Sequence, residues 1–275
     1  MNRWDCVVFS DELELLHTRF VELDPFVDAF LVVEATRTLQ GDEKPLRFVE
    51  NRNLYVPWHD KIVHHIVDDL RPAEAGRGGA GFPLYMQREG RMRDEVSNVL
   101  RGIGAPRDDL VWCSDADEVP RGEVVGATGW DDLHPNGETE EPEVYELDTR
   151  CFALDWRWPG AMLGTTVTTI GYLCDVGGQE VRTSRDSFRH LRADSGRPPG
   201  WHFTWMGGPD RWARKAATFS HFELRDKLTP EFLLGCWTEG RDVNGVKLEA
   251  DGDLADLPGS MATAESFPEW WTRSP

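Results

Sequence analysis

At 275 residues the chain is long for one small domain and short for two large ones, and its 49 acidic against 30 basic residues give a net charge of −19. That balance excludes a protein that grips nucleic acid or an anionic membrane through a broad basic surface, while leaving room for a local basic pocket that binds phosphate. No uninterrupted apolar run approaches the roughly 20 residues that span a bilayer, and the five cysteines, scattered without metal-type spacing, read as reduced thiols rather than a disulfide framework.

Met1-Asn2-Arg3-Trp4-Asp5 leads directly into strand-like residues 6–9, with no secretory signal, so a cytoplasmic location is expected. Ser10-Asp11-Glu12 is placed to cap a helix whose Leu13, Leu16, Phe20 and Leu23 fall at helical spacing, and Asp24-Pro25 stops it. Residues 30–33 form a second strand ending in Glu34-Ala35-Thr36-Arg37, and Gln40-Gly41-Asp42 turns the chain toward Lys44. A third strand, 61–67, is followed by the Gly/Ala-rich stretch 73–81, which reads as a mobile loop. A helix over about 84–100 carries Met92, Val96, Val99 and Leu100 among many charges. Alternation of strand and helix predicts an α/β fold with a largely parallel sheet, its strand tips carrying polar or acidic residues along one rim.

The fourth strand organises the rest. Leu110-Val111-Trp112-Cys113 ends abruptly in Asp115, Asp117 and Glu118, and Pro120 closes the segment. Asp115 and Asp117 are one residue apart, so on a strand they share a face, and two hard oxygen donors there suit Mg²⁺ or Mn²⁺ bridging to a diphosphate. This is the Asp-x-Asp pattern of nucleotide-sugar glycosyltransferases; the bland alternative is a solvated turn. Glu118 reads equally as a helix-start carboxylate or a catalytic one. A Walker loop is missing, which disfavours P-loop enzymes.

Residues 131–143 form an acidic loop, 144–154 and 165–173 are β-rich, and Trp156-Arg157-Trp158-Pro159 lies between them. Gly200-Trp201-His202-Phe203-Thr204-Trp205-Met206-Gly207-Gly208 is dense in aromatics and glycine. A helix over 209–217 carries Arg211, Arg214 and Lys215 and runs into Phe219-Ser220-His221-Phe222-Glu223. The tail from Gly245 is acidic and loop-like.

These blocks resemble glycosyltransferase family 17, the bisecting N-acetylglucosaminyltransferase family. The resemblance is carried by Asp11-Glu12-Leu13-Glu14-Leu15-Leu16 with Arg19, Val32-Val33-Glu34-Ala35-Thr36-Arg37-Thr38, Gly41 and Lys44-Pro45-Leu46-Arg47-Phe48. Arg88-Glu89 with Arg93, the Ser114–Pro120 block, Gly200-Trp201-His202-Phe203 with Gly207-Gly208, and Phe219–Glu223 continue it in order. The chain departs from the family at Asp11, Met92, Asp94 and Asp155, near the donor and acceptor regions, and lacks the membrane anchor of the Golgi members, so a bacterial or viral-type soluble relative acting on another acceptor is expected. The resemblance implies a GT-A-type, Rossmann-like nucleotide-sugar-binding fold, a UDP-sugar donor, Mn²⁺ or Mg²⁺, and inverting transfer to a hydroxyl of a glycan or other acceptor. Length and the changes of character along the chain lead to one domain over 1–244, with a nucleotide-sugar half (1–125), a β-rich acceptor half (126–244) and an acidic tail (245–275).

Within that frame Asp117 is the first metal ligand, with Asp115 beside it. His221 and His202 are candidates to complete the shell, although a histidine beside Trp and Phe is commonly structural. Glu12, Glu34, Arg37 and Lys44 are candidates for the nucleoside and phosphates, and Arg88 and Arg93 for diphosphate charge. Arg88 and Arg93 are five apart on a helix, so at most one points inward. The general base is assigned to Glu223, with Asp155, Asp175 and Glu180 as alternatives. Trp156, Trp158, Trp201 and Trp205 are candidate acceptor platforms, against the ordinary role of Trp in a core. Two competing functions share these residues: a nucleotidyl- or phosphotransferase, and a carbohydrate-binding protein without chemistry.

Overall fold

A computed structural model describes residues 1–72, 84–137, 140–192, 197–218, 224, 226–251 and 254–262. The expected loop at 73–81, and His221 and Glu223, lie outside these residues. The chain begins with β1 (Arg3–Phe9), α1 (Leu13–Leu23), β2 (Ala29–Ala35), a short α2 (Arg47–Glu50), β3 (Ile62–Val67), α3 (Leu84–Gly102) and β4 (Leu110–Asp115). It continues through β5 (Glu118–Pro120), α4 (Gly122–Ala127), α5 (Trp130–Leu133), β6 (Glu143–Cys151), β7 (Trp156–Thr169), α6 (Ile170–Val176) and α7 (Gly178–Thr183). Last come β8 (Arg189–Leu191), β9 (Gly200–Thr204), α8 (Pro209–Thr218), α9 (Pro230–Glu239), β10 (Glu249–Ala250) and α10 (Gly259–Ala262).

One sheet runs β3-β2-β1-β4-β7-β6-β9-β5, with β10 on β7 and β8 on β6. Its first four strands are parallel, and β7 then pairs antiparallel to β4. Strand order explains the helices. Val7, Phe9, Phe30, Val32, Leu110 and Trp112 point to one face, where Leu16, Phe20 and Leu23 of α1 cover them. Their neighbours Cys6, Leu31, Val33 and Val111 point to the other, where Met92, Val96, Val99 and Leu100 of α3 cover them. The period of two is therefore apolar on both faces, as a doubly covered sheet requires. The path turns from β1 outward to β2 and β3, then returns past β1 to β4. Such a reversal opens a crevice outside the carboxyl ends of β1 and β4.

The second half extends that crevice upward. Val167 of β7 is level with both Trp112 of β4 and Glu143, the first residue of β6, so β6 and β7 run on far beyond the rim. Their extension, with α8 and α9, encloses a second core of Phe152, Trp205, Trp212, Leu233 and Cys236, above the strand tips.

Three local expectations are corrected. Residues 165–173 do not form one β-rich piece: the strand ends at Thr169, whose hydroxyl accepts from the Tyr172 amide at 3.1 Å and starts α6. Trp156 to Pro159 lie within β7 rather than between strands. There Pro159 is followed by Gly160 at φ +108°, and the β6 register shifts between Asp148 and Arg150. At α1 the N-cap is Glu12, but its carboxylate turns back to accept the Ser10 and Asp11 amides at 3.1 and 3.0 Å instead of capping the helix.

Candidate active site

Asp115 is the last residue of β4 and lies opposite Val8 of β1, at the mouth of the crevice. A cleft of about 860 Å³, open to solvent, is lined there by Ser10, Asp11, Glu12, Arg37, Lys44, Glu89, Asp115, Asp117, Lys215 and Thr218, among others. A smaller pocket of about 380 Å³ lies beside it and shares Asp11, Glu12, Asp117 and Lys215, adding Leu15, Phe203, Trp205, Met206 and Arg211. Asp117 thus stands between the two cavities, while Asp115 lines only the larger.

The turn that carries them is fixed from below. Arg19 of α1 is wholly buried and pairs with the equally buried Asp5 at 2.5 Å. The same guanidinium donates to the Ser114 hydroxyl at 2.5 Å and to the Glu118 carbonyl. It ties α1, β1 and both ends of the Asp115–Asp117 turn together. The Phe203 amide donates to the Asp117 carbonyl at 2.8 Å and pins the turn to β9.

Each carboxylate faces cations. Asp115 accepts from Arg93 at 3.2 Å and from Arg182 at 3.0 Å. Burial pushes its carboxyl up, but Arg182 and then Arg93 outweigh this and hold it below the usual range. Asp117 lies 3.0 Å from the Lys215 ammonium and 3.6 Å from His202 Nε2. Burial again opposes ionisation, and Lys215, then His202, hold the Asp117 carboxyl far below its ordinary value. Lys215 is itself raised: burial disfavours its charge, and Asp117 and Glu12 more than compensate. The Glu12 carboxyl moves the other way, raised by burial and by Asp11 and Asp117.

Several expected site residues fall elsewhere. Glu118 starts no helix; it opens β5, is buried, and pairs with Arg182 at 2.6 Å. Glu34 is fully buried, accepting the Phe48 amide at 3.1 Å with Lys44 at 3.5 Å and His64 at 3.4 Å, so it supports Lys44 from inside and does not line the cleft. Arg88 donates to the carbonyls of Arg71, Leu39 and Pro72, at 2.8, 2.9 and 2.8 Å. Its guanidinium anchors the backbone beside the cleft, and only Arg93 of the pair reaches the carboxylates. Arg37 and Lys44 do line the cleft.

Of the four tryptophans, Trp205 lines the smaller pocket. Trp201 is buried beneath the Arg121 guanidinium, 4.2 Å from the ring centre, and Trp156 and Trp158 pack on the upper core. Asp175 pairs with Arg107 at 2.6 Å, beside the residues that precede β4 and therefore at the opposite end of the sheet. Glu180 is exposed and accepts from Ser184 at 2.6 Å, while Asp155 sits in the β6–β7 turn. None of these three lines the cleft or the pocket beside it.

Arg182 and Lys215 are the residues that sequence reasoning missed. Lys215 had a signal, since it lies on the basic face already marked by Arg211 and Arg214. Arg182 had none, because its partners come from a strand far away in sequence.

Among the described residues, no three His, Cys, Asp or Glu side chains converge to hold a metal ion. The donor chemistry at Asp117 nevertheless suits a hard divalent cation: a carboxylate oxygen with an imidazole beside it, and His202 Nδ1 buried without a hydrogen-bond partner among the described residues. No helix among the described residues is long and apolar enough to cross a membrane.

The model of glycosyltransferase family 17 matches residues 2–137. Beta-1,4-mannosyl-glycoprotein 4-beta-N-acetylglucosaminyltransferase of Rattus norvegicus is 27% identical over 231 residues, covering 75% of this chain and 40% of its own length. The Homo sapiens protein of the same name is 27% identical over 226 residues, with 73% and 40% covered. The chain therefore spans about 40% of the length of these relatives. Among solved structures, mannose-6-phosphate isomerase from Helicobacter pylori overlaps at a TM-score of 0.33 and 10% identity, covering 64% of this chain and 74% of that one. Apo mouse xyloside xylosyltransferase 1 overlaps at 0.31 and 10%, covering 70% and 78%.

Proposed function

We propose that this chain, which belongs to glycosyltransferase family 17, is a metal-dependent inverting glycosyltransferase of GT-A type. It moves a sugar, N-acetylglucosamine being the first candidate, from a UDP-sugar to a hydroxyl of a glycan or other acceptor. The observation that carries this reading is the placement of Asp115 and Asp117 at the β4 tip, in the crevice beside β1, facing a cleft lined by Arg37, Lys44 and Lys215. The five cysteines are free thiols, which suits the cytoplasm.

The nucleoside and diphosphate fit the larger cleft, where Arg37 and Lys44 offer positive charge along one wall. Asp117 and His202 would hold the cation, with His221 completing the set. Bound there, the cation would stabilise negative charge on the departing diphosphate. The acceptor fits the smaller pocket, where Trp205 offers a ring face. Asp117 and Lys215 line both cavities and so stand where donor and acceptor meet. Transfer requires the acceptor oxygen to attack the anomeric carbon as its bond to the diphosphate breaks. UDP departs, and the hydroxyl proton passes to a carboxylate, which we assign to Glu223.

A screen of nucleotide sugars by thermal shift tests this, since a ligand bound only by the folded state must raise the melting temperature. A UDP-sugar is expected to raise it with Mn²⁺ present and to yield UDP on addition of acceptor. Absence of any shift with every UDP-sugar and Mn²⁺ would falsify the reading. For the base, Glu223→Gln is expected to keep donor affinity and lower transfer by roughly 10²–10⁴. Normal turnover in that variant returns the role to another carboxylate.

A further inference from the structure

Asp117 has a partner that metal binding cannot leave in place. The Lys215 ammonium lies 3.0 Å from Asp117 Oδ2, on the oxygen that also faces His202. Lys215 comes from the last turn of α8, an element of the upper lobe, whereas Asp117 belongs to the strand tip below. Its other near neighbours are the Thr204 hydroxyl at 3.4 Å and the face of Trp205 at 5.7 Å, both neutral, and the Glu12 carboxylate, which lines the same two cavities and also favours its charge. A divalent cation on Asp117 would meet this ammonium at close range, and like charges in a half-desolvated site repel strongly. One of the two must yield, and a lysine on a flexible four-carbon stem yields easily. The larger cleft gives it somewhere to go: Lys215 lines that space together with Arg37 and Lys44.

We propose that Lys215 and the divalent cation take Asp117 in turn. The ammonium neutralises the carboxylate in the donor-free protein; when the cation arrives it moves into the cleft and binds the donor's diphosphate. This rests on the metal-dependent reading given above. Metal alone would leave the ammonium without the one carboxylate it pairs with directly, and UDP alone could recruit the ammonium only by stripping Asp117. Each ligand therefore removes the cost that the other would meet, so Mn²⁺ and UDP bind cooperatively, and the coupling is reciprocal.

Calorimetric titration of Mn²⁺, with and without saturating UDP, tests the exchange without measuring turnover. In the unaltered protein, UDP is expected to tighten Mn²⁺ binding about tenfold or more. Lys215→Met is expected to bind Mn²⁺ alone about tenfold more tightly than the unaltered protein, because the competing charge is gone. It is also expected to lose most of the coupling to UDP, whereas Lys215→Arg retains it. Equal or weaker Mn²⁺ binding by Lys215→Met, or coupling that survives there undiminished, overturns the exchange. If Lys215→Met does not melt cooperatively, Lys215→Gln takes its place, and Mn²⁺ affinity indifferent to UDP in the unaltered protein overturns the exchange with no variant at all. Asp117→Asn separates the exchange from its premise. Loss of Mn²⁺ binding in that variant supports the premise, so that a negative Lys215→Met result then falls on the exchange alone. Retained binding removes Asp117 from the metal site and overturns both.

Discussion

Asp115 shows how far the local charge arrangement reaches. Arg182 touches it at 3.0 Å and Glu118 at 2.6 Å, and also donates to the Gly164 carbonyl at 3.2 Å, so one guanidinium serves two carboxylates and a strand. Removing one partner of such a buried group leaves the others uncompensated, so Arg182→Ala is expected to destabilise the fold by about 3–5 kcal/mol. A double-mutant cycle with Glu118→Gln, read by urea unfolding, should show coupling of at least ~1 kcal/mol; additive losses would mean that the Arg182–Glu118 contact carries no stabilising interaction. The Asp115 carboxyl lies below its ordinary value, held there by Arg182 and Arg93 against the opposing effect of burial. Its stabilising contribution is therefore fully present above the unfolded value of about 3.9 and is lost as pH falls through the folded one. Asp115 and Asp117 were legible in sequence because an apolar run ends abruptly in acids at a strand tip. Of their counter-ions, Arg93 was legible and Lys215 stood on a basic helix, but Arg182 was not, since it reaches them across the fold from a segment with no periodicity or spacing linking it to β4.

At the scale of elements, Arg182 reaches Asp115 because α7 lies almost on α3. A Cβ on Gly178, the first residue of α7, would come within 2.0 Å of the Arg93 carbonyl oxygen, so only glycine permits this approach. Gly178→Ala must push α7 off α3, separating Arg182 from Arg93 above the shared carboxylate. The expected cost is about 1–3 kcal/mol in stability, with donor affinity reduced more than that loss alone would cause; unchanged donor binding would show that the α3–α7 spacing does not govern the site. The β1, β2 and β4 strands and the helices that cover them were readable because both faces of the strands are buried, which makes each run short, apolar and bounded by polar turns. Beyond β5 the signal weakens. β7 contains a proline and a positive-φ glycine where its register shifts, so only its end, from Thr165, read as β-rich, and Trp156 to Pro159 at its start were placed outside it. Glu118 misled for a related reason: a three-residue strand is too short to show a period, and an acid before Val-Pro resembles a helix start.

Over the whole molecule, the last described segments behave as part of the body rather than as an acidic appendage. Leu248 packs with Phe152 and Trp205 in the upper core, and Leu257 and Met261 pack with Trp201, Phe203 and Met206 beneath the smaller pocket. Their side chains are 2%, 5% and 3% exposed, burial equal to that of the central strands. Charge fastens them further: Asp256 accepts from Arg121 at 3.0 Å and Arg197 at 2.8 Å, and Asp251 pairs with Arg150 at 2.9 Å. The sequence hid this because the apolar residues are spaced singly among acids, with neither a helical nor a strand period. Burying one large aliphatic side chain contributes about 1.5–3 kcal/mol, so three represent on the order of 5 kcal/mol or more. That is comparable with the entire stability of many domains, about 5–15 kcal/mol. Truncation after Asn244 is therefore expected to lower the urea midpoint severely or to abolish cooperative unfolding, and to disturb Trp205 and the lobe that carries Lys215. Urea unfolding followed by tryptophan fluorescence measures both effects. A truncated chain that unfolds at the same midpoint, with an unchanged native spectrum, would show that the catalytic body closes without its tail.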